Sequence, residues 1–110
     1  MPDALESQFH EAMLDIYRRA KEEAGYNASL FLRMVVDQGG LQAARKLINS
    51  REPSSGYTRL FELDRLDLTV EAVVLQSSHF HPLFTEQELE VCKTRLRDLT
   101  SLRKPTNYGA

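Results

Sequence analysis

The chain has 110 residues, 42% of them hydrophobic, with 14 Lys and Arg against 16 Asp and Glu and a formal net charge of −2. That is one domain's length with enough apolar material for a core, and the charge balance gives no global attraction to nucleic acid or an anionic membrane. A single cysteine, Cys92, excludes an internal disulfide framework and a multi-cysteine metal cluster.

From Asp3 to Ala24 the apolar residues fall at Leu5, Phe9, Met13, Ile16 and Ala20, in steps of four, four, three and four. That spacing predicts one face of a helix about 33 Å long, with Glu6, Glu11, Asp15, Arg18, Arg19 and Glu22 on the other. Gly25 ends it in the left-handed region. Asn27 is the expected cap of the second helix, with Tyr26 and Phe31 as its hydrophobic staple. That helix, Ala28 to Gln38, carries Leu30, Phe31, Leu32, Met34, Val35 and Val36, apolar around most of its circumference. Such a pattern predicts the central helix of a small bundle, with the first helix lying along it.

Gly39 and Gly40 stop the second helix, and a third runs from Leu41 to about Ile48 with Leu41, Ala44, Leu47 and Ile48 inward. Asn49 to Gly56 has the composition of a turn. A short helix follows from Tyr57 to about Leu63. Asp67 is then the expected cap of a fifth, through about Gln76, that buries Val70, Val73 and Val74. Val70 to Leu75 is the strongest apolar segment. It is far shorter than the ~18 residues of a membrane span, and it reads as helix because no alternating partner strand exists. Residues Ser77 to Phe84 connect to a last helix started by a Thr85–Glu88 capping box and a Phe84–Leu89 staple, with Leu89, Cys92, Leu96 and Leu99 inward. Residues 101–110 are polar, with Pro105 and Gly109, and read as a fraying tail after a single helical domain over 1–100. The expected fold is an all-α, compact bundle of five to six helices. Met1 to Leu5 does not begin a signal peptide, so the expected location is the cytoplasm.

Little in the chain points to catalysis. Ser54 and Ser55 lack a nucleophile elbow, Gly39-Gly40 lacks the spacing and lysine of a phosphate loop, and Cys92 sits on an inward stripe where a thiol is inert. His79 and His81 stand two residues apart, but a third metal ligand has to be sought at Cys92, Glu86 or His10. No metal, cofactor or catalytic residue is therefore expected, and the chain reads as no enzyme.

Two surfaces remain. Tyr57, Arg59 and Arg65 combine an aromatic with arginines beside a serine–glycine turn, a composition favoured at protein interfaces. They are the expected contacts of a non-enzymatic interaction or regulatory module whose partner is first of all a protein; the same stretch also reads as a structural corner in which Tyr57 and Phe61 cover the core end. The alternative is DNA. Helix, glycine break and helix from Phe31 to Asn49 outline a helix-turn-helix whose outward stripe is Gln42, Arg45, Lys46 and Asn49, residue types that reach bases and phosphates. The tract distantly resembles the glycine-pair helix of ARID-type DNA-binding domains, without the aromatic landmarks that follow it there. Net negative charge opposes that reading, because DNA affinity rests on phosphate neutralisation.

Gly25-Tyr26-Asn27-Ala28, Gly39-Gly40-Leu41, Gly56-Tyr57-Thr58-x-Leu60, Arg65-Leu66-Asp67-Leu68-Thr69-Val70-Glu71-Ala72 and Pro82-Leu83-Phe84-Thr85 form an ordered set of motifs. Over roughly Phe9 to Leu96 the chain resembles a family of small uncharacterised bacterial proteins. The resemblance implies a bacterial or phage origin and a stand-alone helical domain, and brings no activity, cofactor or site residue with it.

Overall fold

The apolar periodicity is helical throughout, and in the computed structural model every regular element is a helix. The structure describes residues 4–103, and side chains through residue 97. Six α-helices run Ala4–Ala24 (α1), Ser29–Gln38 (α2), Gly40–Ile48 (α3), Ser55–Glu62 (α4), Val70–Gln76 (α5) and Glu86–Arg103 (α6). Short 3₁₀ segments at Leu66–Leu68 and Ser78–Leu83 complete an all-α bundle with no strand among the described residues. The last helix passes residue 100. The tail expected at 101–110 lies from residue 104 on outside the described residues, as does the Leu99 side chain.

Phe9, Met13, Ile16 and Ala20 bury the predicted face of α1. Phe9 is wholly buried, and the rings of Phe80 and Phe84 pack edge-on against it at 5.1 and 5.3 Å between centroids. Edge-to-face contacts of this kind add about 1 kcal/mol beyond area burial. They fix the Ser78–Leu83 segment to the first helix.

Helices α1 and α3 meet backbone to backbone at Gly40. Gly39, at φ 90°, breaks the chain, and Gly40 opens α3 directly against α1. A Cβ on Gly40 would lie 2.6 Å from the His10 Cα, so only glycine fits there, and its N–H donates to His10 Nδ1 at 2.8 Å. Ala43 and Ala44 are fully buried on the same helix. These small residues let α3 sit deep in the bundle.

That geometry corrects the expected centre. The second helix is peripheral: Val35 is its only buried residue, while Leu30 and Val36 are 74% and 67% exposed. Interaxial distance depends on side-chain size at the contact, and bulky Phe31 and Met34 hold α2 off where glycine and alanine draw α3 in. Asn27 does not cap α2 either. Ala28 occupies that position without a side-chain cap, and the Asn27 side chain accepts a 2.7 Å bond from the Tyr17 hydroxyl.

Helix α4 begins at Ser55, inside the expected turn, because the Ser54 hydroxyl accepts the Tyr57 N–H at 3.1 Å. Thr69, not Asp67, caps α5, with its hydroxyl oxygen 3.1 Å from the Ala72 N–H. The Thr85–Glu88 capping box forms in both directions, at 2.9 and 3.1 Å. Gly40→Ala should destabilise the protein by roughly 1–3 kcal/mol through overpacking against backbone. A denaturant melt of the variant checks this, and an unchanged midpoint would deny the close α1–α3 contact its importance.

Candidate functional site

Helix α4 decides the fate of the first expected surface. With the helix starting at Ser55, Tyr57 and Leu60 lie three residues apart on one inward face and are buried. Tyr57 is 2% exposed, so it cannot serve as an interface anchor as expected. Arg59 is exposed and pairs with Glu62 at 3.3 Å. Arg65 is anchored twice, to both oxygens of Asp67 at 3.0 Å and to Glu23 of α1 at 2.7 Å. Hydrogen bonds from Arg19 and then Arg65 hold the Glu23 carboxyl down to about 2. Arg65 is thus a clamp between the α4–α5 connection and α1, and the trio forms no shared exposed patch.

The second expected surface is divided, with Arg45 and Asn49 drawn to α6. Glu88 uses one oxygen in the capping box and the other to accept from Arg45 Nε at 2.9 Å and Asn49 Nδ2 at 2.7 Å. Burial alone would push the Glu88 carboxyl up. The Thr85 N–H, Asn49 and Arg45 outweigh it and leave it below the ordinary carboxylate range. Of the four residues expected to reach DNA, Gln42 and Lys46 remain exposed without a side-chain bond to α6, beside a shallow depression also lined by Gln38. Arg45 and Asn49 serve structure first.

A buried ion pair ties the same region together. Arg95 of α6 donates to Glu71 of α5 at 2.9 Å, and to the carbonyls of Leu47 and Ser50 at 3.1 and 2.7 Å, capping the end of α3. Both side chains are under 10% exposed. Burial pushes the Glu71 carboxyl up, against the opposing pull of Arg95. Cys92, one turn before Arg95, is fully buried, and burial with the nearby Glu71 charge pushes its thiol up to about 12. His79 stacks on Phe80 with centroids 4.1 Å apart. Among the described residues no three His, Cys, Asp or Glu side chains are grouped to hold a metal, and no helix is long and apolar enough to cross a membrane.

What periodicity did not reveal is a cavity of about 330 Å³ beneath α2. Its lining joins buried Ile16, Ala20, Tyr57, Leu60 and Leu68, which form its floor, through a wall at half-buried Phe31 to exposed Asn27, Ser29, Leu30 and Ser55, which mark its mouth. Phe31, expected deep in a central helix, is half-buried in this wall. The signal in the sequence was an excess: a ten-residue helix carrying more bulky apolar residues than one face can bury. Compared with protein-family models, curated proteins and solved structures, the chain matches none.

Two outcomes are expected here. Cys92 should resist a thiol reagent in the native protein and react fully only with unfolding, because the thiolate is the nucleophile. Rapid labelling at neutral pH would contradict its burial. Arg95→Met should cost about 3 kcal/mol at neutral pH, since it leaves Glu71 buried without a countercharge. A carboxyl whose folded pKa is raised is best tolerated when protonated, so its contribution is complete below the usual carboxylate range and is lost as pH rises. The deficit of Arg95→Met, followed by urea melts, should therefore shrink as pH falls. A deficit that grows toward acid would contradict it.

Proposed function

We propose that the protein is a non-enzymatic helical binding module of the cytoplasm that acts by docking another protein on the outer face of α2. The observation that carries this is the pair of large apolar residues, Leu30 and Val36, left 74% and 67% exposed on one short helix. Arg33 and Asp37 stand exposed between and beside them. Leu30 and Val36 thus flank Arg33, and apolar surface joined to an arginine is the composition of a protein interface. Single exposed apolar residues are ordinary on protein surfaces; two, Leu30 and Val36, on a helix that buries only Val35 are a large share of its apolar surface. The expected trio at Tyr57, Arg59 and Arg65 gives way to this face, because one member is buried and another is clamped. The DNA reading retains Gln42 and Lys46 but has Arg45 and Asn49 engaged by Glu88.

A double variant tests the face. Leu30→Asp with Val36→Asp changes exposed positions and should leave stability within about 0.5 kcal/mol. It should abolish capture of the protein that wild type retains from source-cell lysate, while Arg45→Ala with Lys46→Ala captures it normally. If wild type self-associates and the α2 variant does not, the partner is a second copy. Capture that survives the α2 variant overturns the proposal. So does duplex DNA binding that weakens steeply with salt and is lost only in the α3 variant.

A further inference from the structure

The cavity beneath α2 is distinct from the α2 outer face, although Leu30 forms part of its lip. Its about 330 Å³ is room for roughly ten water molecules at ~30 Å³ each. That exceeds one leucine or phenylalanine side chain, so a single anchor residue of a docking protein would leave much of it empty. It falls at the lower end of the ~300–1,000 Å³ range of small-molecule sites. The lining is chiefly apolar, from Ile16, Ala20, Phe31, Met34, Leu60 and Leu68.

Charge decides the class of occupant. No Lys, Arg, His or Asp lines the cavity, and its one carboxylate, Glu71, is already paired with Arg95 at 2.9 Å. An anion or cation placed inside would lose water and find no free countercharge, which costs far more than an apolar group gains. Neutral hydrogen-bonding groups, in contrast, stand at the mouth. The Asn27 side chain, held at Oδ1 by Tyr17, and the hydroxyls of Ser54 and Ser55 line it, and the Tyr26 hydroxyl lies 3.4 Å from the Cβ position of Gly56. We infer that this cavity is a binding site for a small, uncharged molecule with an apolar body and one hydrogen-bonding end directed to the mouth. The site does not rest on the protein-docking reading, and its test uses the isolated chain.

Three probes share one hydrocarbon body and differ in their end group: 1-octanol, octanoate and octylammonium. Each is titrated into ¹⁵N-labelled protein and followed by amide NMR. Octanol should saturate with half-occupancy on the order of 0.1–1 mM, in the range small ligands of this size reach, and should shift the amides of Ala28, Gly56 and Thr69. The charged probes should bind about tenfold more weakly or worse, because a charged end held at the mouth gives up hydration to neutral groups that supply no countercharge. Two variants close the space: Ala20→Phe from the floor and Ala28→Trp from the mouth. Both should abolish octanol saturation. If Ala20→Phe does not fold, Ala28→Trp, at a half-buried rim position, carries the comparison. Absence of saturable octanol binding overturns the inference, as does octanoate or octylammonium binding as tightly as octanol. Shifts that persist in the closed variants, or that map to Arg33 and Val36 alone, also overturn it by reporting adsorption to the outer surface.

Discussion

At Gly40 the backbone of α3 approaches that of α1 more closely than any side chain allows, and much of the architecture follows from that contact. A helix that lies so near the long α1 occupies the inner place in the bundle. Ala43 and Ala44 extend the same flat surface, and Leu41 and Ile48 complete the buried face. The helix joined to it by a single residue, Gly39, must then turn away to the perimeter. Its large side chains reach back toward α1 without filling the space below. The cavity and the exposed apolar residues of α2 are two consequences of one close packing.

A second set of contacts closes the other side. Helix α6 reaches α3 with two charged side chains, Glu88 near its start and Arg95 two turns on. Glu88 holds Arg45 and Asn49 from outside, while Arg95 caps the carbonyls at the end of α3 and neutralises Glu71. Breaking such a buried pair is expensive even where its net contribution is small, so these contacts specify which helix ends meet. They also explain why half of a stripe resembling a DNA-reading face is committed: Arg45 and Asn49 answer a carboxylate of the same chain, while Gln42 and Lys46 do not. A surface stripe read from one helix carries no information about the helix lying beside it.

Sequence reasoning reached as far as local physics reaches. The α1 stripe, the helical reading of Val70 to Leu75 and the Thr85–Glu88 box depend on residues within one or two turns of each other, and the structure has them all. The errors lie where two candidates compete locally or where distance matters. Ser54 prevailed over a turn, and Thr69 over Asp67, because Asp67 was claimed by Arg65. The identity of the central helix was not legible, since hydrophobicity ranked α2 above α3 while packing rewards small residues as much as large ones. Tyr57 could be read as an anchor or as cover for the core end, and its burial beside Leu60 on one face of α4 decides for the second. Beyond the apolar excess of α2, the cavity was not legible, because its wall joins residues from 16 to 71 that share no local pattern.

Where a helix buries little, its fold has little claim on its sequence. Val35 is the sole buried residue of α2, and no side chain caps its start. A surface helix with only that task would be expected to carry polar residues at positions 30 and 36, since polar residues there would cost the core nothing. The cavity on its inner side leaves apolar side chains of its lining without the protein contacts that a packed core would supply. Both departures meet on the same ten residues, and a small domain has a narrow margin to spend on either. Packing alone explains why α2 sits at the edge; it does not explain why its edge is apolar on both sides.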